Sequence, residues 1–218
     1  MIEHHPPLDL LFDYATGGQD FAISLAVAAH LEGCAECRSI VQQVEALGGV
    51  MLDELEPVDV SEGMFEAVMG RLDEAIVTPA AEYVGRMEHG DWSLPRALWP
   101  YIEKGMEALR WQRLADLFEE AILPVPSNTH RVSLLRAQRG GFVPMHAHAG
   151  QEYLAVLHGG FRSNGHAYER GDFAYCDKSE SHEPIVDTHD ECVCLLVLDA
   201  PLNFKGDYKK TLDPIFRM

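Results

Sequence analysis

Residues 140–159 read Gly140-Gly141-Phe142-Val143-Pro144-Met145-His146-Ala147-His148-Ala149-Gly150-Gln151-Glu152-Tyr153-Leu154-Ala155-Val156-Leu157-His158-Gly159, and this stretch decides the fold. His146 and His148 stand two apart, so on an extended strand both side chains leave the same face. Glu152 comes from the adjoining segment, and Tyr153 to Leu157 is a short apolar run of strand type, closed by Gly159-Gly160. Further on, Gly171 and His182 stand eleven residues apart, and a neighbouring strand could bring His182 to the same place. Three imidazoles and one carboxylate suit a divalent ion. Such donors serve zinc, iron, manganese, nickel or copper, and ligand type does not identify the metal.

Working outward, the same strand behaviour recurs at Leu109–Leu114, Ala121–Leu123, Thr129–Arg136, Gly160–Arg162, Phe173–Cys176 and Cys192–Leu198. Short strands with frequent glycine breaks predict a β-sandwich or small barrel over residues 91–218. Upstream of Thr78-Pro79 the period changes. Leu8, Leu11, Phe12 and Ala15 follow Pro6 at helical spacing, and Gly17-Gly18 stop the pattern. Asp20 is placed to cap a second helix ending near Gly33, and a third is expected over about Ala35–Leu47. Ser61 would cap a fourth, carrying Phe65, Val68, Met69, Leu72 and Ile76. The expected division is a small helical bundle over 1–78, a linker over 79–90 and the β unit over 91–218, with a short helix near Tyr101–Met106.

A second ligand-type group lies in the helices. His30, Cys34 and Cys37 share one helix face, or meet across a break at Gly33, and either arrangement can close on a tetrahedral ion. A fourth ligand is needed, and His5 or His4 can supply it; spacing does not choose between them. A core histidine beside two buried thiols is the plain alternative. Five cysteines in this pattern are no disulfide framework and fit a reducing cytoplasm with thiolates on metal. Cys192 and Cys194 share a strand face, their role open between packed core and contact with the barrel metal or an oxidant.

Charge narrows the function. The chain carries a formal −18, and residues 1–78 hold fifteen acids against only Arg38 and Arg71. Such a surface repels phosphate and excludes direct binding to nucleic acid, while it favours a basic partner. The apolar run Phe21–Leu31 has eleven residues and contains His30, too short to cross a bilayer. No secretory signal pattern opens the chain. No GxSxG, Walker or GxGxxG motif supports nucleophilic or nucleotide chemistry.

With His30, Cys34 and Cys37 near an N-terminal histidine, residues 1–78 resemble the zinc-binding anti-sigma domain. The glycine–histidine–glutamate motif makes residues 91–218 similar to the cupin barrel, with departures at Asp177, Ser179 and Val186 that touch turn shape rather than ligands. Together, and with Asp190-Glu191-Cys192-Val193-Cys194-Leu195, they resemble the ChrR family of zinc-dependent anti-sigma factors. The resemblance implies an α+β chain, a zinc-bound helical bundle followed by an all-β cupin barrel. It implies Zn2+ on His5 (or His4), His30, Cys34 and Cys37, and a divalent metal on His146, His148, Glu152 and His182. The implied partner is an extracytoplasmic-function sigma factor, held in the cytoplasm until a stress, singlet oxygen in the founding case, releases it. Self-association through the barrel stays open. The alternatives are a cupin metalloenzyme, a dioxygenase or isomerase with the zinc bundle as an interaction module, and a plain zinc-stabilised interaction module.

Overall fold

Helix boundaries follow the local chemistry. In the computed structural model, which describes residues 2–72, 88–89, 92–102, 104–115, 118–187 and 189–216, α1 spans Leu8–Thr16 behind Pro7 and ends at Gly17. Asp20 caps α2 (Phe21–Gly33), its carboxylate accepting from the Ala22 N–H at 2.8 Å. Cys34 is extended and separates α2 from α3 (Ala35–Asp53). That third helix runs well past the expected end at Leu47. α4 (Met64–Met69) starts after Gly63, not at Ser61, whose carbonyl accepts from Met64 instead. Ile76 and most of the 79–90 linker lie outside the described residues.

Two short strands, β1 (Glu88–His89) and β2 (Trp92–Ser93), pair with each other. The expected helix over Tyr101–Met106 is replaced by two 3-10 turns, Arg96–Tyr101 and Met106–Ala108; Gly105 lies between them at φ +79°, a conformation that no right-handed helix contains. The main sheet then forms from β3 (Gln112–Ala115), β4 (Phe118–Ile122), β5 (Arg131–Ala137), β7 (Glu152–His158), β10 (Phe173–Cys176) and β13 (Cys192–Leu198). They are antiparallel in the order β10-β7-β13-β5-β4-β3. Two three-stranded sheets complete the β unit. One joins β11 (Ser181–His182), β6 (His146–His148) and β14 (Leu202–Phe204); the other joins β12 (Ile185–Val186), β8 (Gly160–Ser163) and β9 (His166–Glu169).

Alternation along the central strands builds two cores. Leu154, Val156, Cys192, Cys194, Leu196 and Leu198 point into the β unit with Phe161, Phe204 and Phe216. Tyr153, Ala155, Leu157, Val193, Leu195 and Val197 point the other way, onto the helices. All seven residues of β13 are therefore buried, as expected of a strand covered on both faces. The cover is α2. Eight of its thirteen residues are buried, distributed around the whole helix, because the sheet lies on one side and α1 and α3 on the other. Gly159, the last fixed position of the motif, has φ +64°, and a Cβ there would stand 2.0 Å from the Glu191 carbonyl oxygen.

Candidate metal centres

Breaking the chain at Cys34 lets three elements converge. His30 sits on the last turn of α2, Cys34 at the N-cap of α3 and Cys37 one turn in, while His5 arrives from the segment before α1. The ligand-type atoms of these four residues all lie within 4.8 Å of one another. His5 Nδ1 is 3.4 Å from Cys34 Sγ and 3.3 Å from Cys37 Sγ, and His30 Nε2 is 3.3 Å from Cys37 Sγ. Nitrogen and sulfur on one tetrahedral zinc stand about 3.5 Å apart, given bonds of about 2.0 and 2.3 Å. The donor set therefore fits zinc. His30 Nδ1 donates to the Gly171 carbonyl at 2.8 Å, which puts the proton there and leaves the Nε2 lone pair for the cluster. Burial pushes the His30 imidazole below its usual range, which also favours the neutral, ligating form.

His4 does not share this place. Its ring lies on Tyr168, centroids 4.3 Å apart, and its Nε2 meets the Ala167 carbonyl at 2.9 Å. The choice that spacing left open is thus made by the backbone of residues 3–5, which turns alternate side chains in opposite directions.

Burial and the neighbouring Cys34 thiol push the Cys37 thiol up to about 12. Without metal it holds its proton at neutral pH, and ligation must displace that proton. Apparent zinc affinity is therefore expected to rise about tenfold per pH unit for each proton released, between about pH 6 and 8. Proton release measured in weakly buffered solution checks it; metal uptake with no proton released would be the contrary result.

The second group is built by strand pairing. The register of β6 with β11 sets His146 opposite His182, and Glu152 opens β7 beside them. All four side chains are buried, and their ligand atoms lie within 4.8 Å of one another. Every imidazole has its Nδ1 engaged: His146 on the Pro144 carbonyl at 2.8 Å, His148 on the Glu180 carbonyl at 3.2 Å, and His182 on Ser163 Oγ at 3.0 Å. His146 and His148 consequently turn Nε2 inward as acceptors, and the three Nε2 atoms surround Glu152, at 3.7, 3.3 and 3.7 Å from its oxygens. His148 Nε2 makes no hydrogen bond, and His146 Nε2 faces His182 Nε2 at 2.8 Å. Buried lone pairs so opposed call for a cation. Burial alone would raise the Glu152 carboxyl, but the surrounding imidazoles outweigh it and hold the group well below the usual range. Burial takes His182 down to about 4. Carboxylate and neutral imidazole are the ligating forms.

A cavity of about 300 Å³ adjoins this group, lined by His146, Glu152 and His182 and by apolar residues such as Leu154 and Phe161. Cys192 and Cys194 also line it, their sulfurs 3.6 Å apart and neither within the ligand cluster. Cys176, at the end of β10, is buried, 3.8 Å from His182 Nδ1. Trp92 stacks on His158, ring centroids 4.8 Å apart.

Comparison with known proteins matches both units. Residues 104–201 match a family model described as the ChrR cupin-like domain. The chain is 36% identical over 217 residues to the anti-sigma-E factor ChrR of Cereibacter sphaeroides, covering 100% of this chain and 99% of that one. Its fold matches the crystal structure of Rhodobacter sphaeroides SigE in complex with the anti-sigma ChrR, with a TM-score of 0.77 and 35% identity, over 91% of this chain and 100% of that chain. With the match running the full length of both chains, this chain belongs to the ChrR family of anti-sigma factors.

Proposed function

We propose that this protein holds an extracytoplasmic-function sigma factor inactive through its helical unit, residues 1–78, and releases it when a signal reaches the barrel, residues 91–218, beyond the 79–90 linker. The observation that carries this reading is an uncovered apolar surface. Leu47, Val50, Met51, Leu52 and Leu55 along the outer part of α3, and Phe65, Val68, Met69 and Leu72 around α4, are exposed, Phe65 by 72%. Helical residues at this spacing normally face a core, and a contiguous apolar row in water marks a binding surface. Asp53, Glu54, Glu56, Asp59, Glu62 and Glu66 surround it, all exposed. Apolar anchors supply affinity, and the acids select a basic partner and speed its approach. Sigma factors carry such basic surfaces for promoter DNA, and ChrR is seen in complex with SigE.

In this reading zinc on His5, His30, Cys34 and Cys37 staples α2, α3 and the N-terminal segment into the shape that presents that surface. His146, His148, Glu152 and His182 hold a divalent metal, zinc in the first instance, whose chemistry is Lewis-acidic. A signal acts only if it changes the relative free energy of bound and free forms. The working place is the cytoplasm, where the partner meets RNA polymerase; among the described residues no helix is long and apolar enough to cross a membrane. The protein is a regulator and not an enzyme, its likeness running the full length of an anti-sigma factor.

Co-expression with extracytoplasmic-function sigma factors tests the proposal. A complex that survives purification, and is lost on replacing Phe65 and Leu72 by Asp, is the expected result. Failure to retain any such sigma factor overturns it.

A further inference from the structure

The barrel touches the helical cluster at one turn, the Arg170–Phe173 connection between β9 and β10. Asp172 is 1% exposed and all its hydrogen bonds are to backbone. Oδ2 accepts from Glu169 N at 2.8 Å and holds the turn; Oδ1 accepts from Glu3 N at 2.8 Å and His4 N at 3.1 Å. Phe173 N then donates to the His4 carbonyl at 3.0 Å. Both backbone groups of His4 are thus tied to the barrel, and His5 is the next residue. On the other side of the same turn the Gly171 carbonyl takes the His30 Nδ1 proton. Gly171 has φ +96°, and a Cβ on it would meet Ile2 Cδ1 at 2.7 Å, so the N-terminal segment lies directly on this turn. A carboxylate this deeply buried needs charge-assisted hydrogen bonds, and here three backbone amides supply them.

We propose that Asp172 is a positioning residue of the helical metal cluster: with the Gly171 carbonyl it sets both imidazoles, His5 through the backbone of residues 3–4 and His30 through its Nδ1, so that the barrel determines how tightly the helical unit holds its metal. The inference rests on reading His5, His30, Cys34 and Cys37 as that site. It adds that the barrel supplies the outer hydrogen-bond partners of both imidazoles. Outer partners of metal-binding imidazoles are commonly worth 10–100-fold in affinity, although they touch no metal.

The test is a Co2+ titration of the full chain against a competing chelator. It is followed by the thiolate-to-cobalt charge-transfer band, which the imidazole–carboxylate cluster of the barrel cannot give. Near-ultraviolet circular dichroism monitors barrel packing. If the parent protein shows no thiolate band, the reading of the four ligands fails. If it shows one, Asp172→Ala is expected to lower Co2+ affinity about tenfold or more, with the barrel signal unchanged. Asp172→Asn, which keeps one oxygen for Glu3 and His4, should retain most of the affinity. Parent affinity in Asp172→Ala overturns the inference, as do equal losses in the two variants, which would assign the effect to charge. Should Asp172→Ala not fold, Glu3→Pro with His4→Pro deletes the two donors and leaves the turn untouched; a loss of affinity there supports the inference and parent affinity overturns it.

Discussion

Cys37→Ser is expected to abolish sigma-factor binding, by a factor above about 100, roughly 3 kcal/mol, and to remove tightly held zinc from the helical cluster. The substitution changes the buried volume little, so packing is nearly preserved while a thiolate is replaced by a hydroxyl that zinc holds poorly. Structural zinc contributes about 10–16 kcal/mol in small sites, comparable with the whole stability of an ordinary domain at about 5–15 kcal/mol. The loss should fall unevenly. α2 keeps its contacts with Tyr153, Leu157 and Leu195 on the sheet, whereas the segment before α1 and the start of α3 lose their common tie. Circular dichroism should show partial loss of helix, and binding to an immobilised sigma factor should fall below detection. A zinc-free variant that still bound with parent affinity would remove the metal from the account.

Glu152→Gln is expected to do the opposite. It lies in the barrel, remote from the apolar surface of α3 and α4, so sigma binding should stay within about twofold of the parent, under about 0.5 kcal/mol. Its effect falls on the barrel metal. Replacing the one anionic donor among His146, His148 and His182 leaves three imidazoles and a neutral amide, and should weaken metal binding about 100-fold or more. Dissociation of the complex on exposure to singlet oxygen or peroxide should then be slowed to the rate of the untreated complex. The same is expected of His146→Ala. A Glu152→Gln protein that released its partner like the parent, or that could not bind it at all, would refute this separation of roles.

Much of the site was legible because its residues are close in sequence. His146 and His148 share a strand face by periodicity, with Glu152 four residues on in the adjoining segment, and His30, Cys34 and Cys37 lie within two helical turns. The helix ends at Gly17 and Asp20 were legible for the same local reason. What could not be read depends on distance. Choosing His5 over His4 requires the Asp172 carboxylate, 168 residues away from His4, and no local pattern contains it. The Ser61 cap failed because another residue, Gly63, precedes the first helical turn; the helix from Tyr101 failed because Gly105 takes a φ of +79° inside the expected span. Phe21–Leu31 is apolar on all sides, and Cys192–Leu198 is an unbroken apolar strand. Each implies cover on two faces, and they cover one another.

The hydrogen bond from His30 to the Gly171 carbonyl has a thermodynamic corollary. Equilibrium binding effects are reciprocal: if seating the helices on the β unit tightens the grip on zinc by some factor, zinc tightens that seating by the same factor. Metal occupancy of the helical cluster and the fit between helices and β unit are then coupled, so that zinc supply and damage to the β unit act on the same balance.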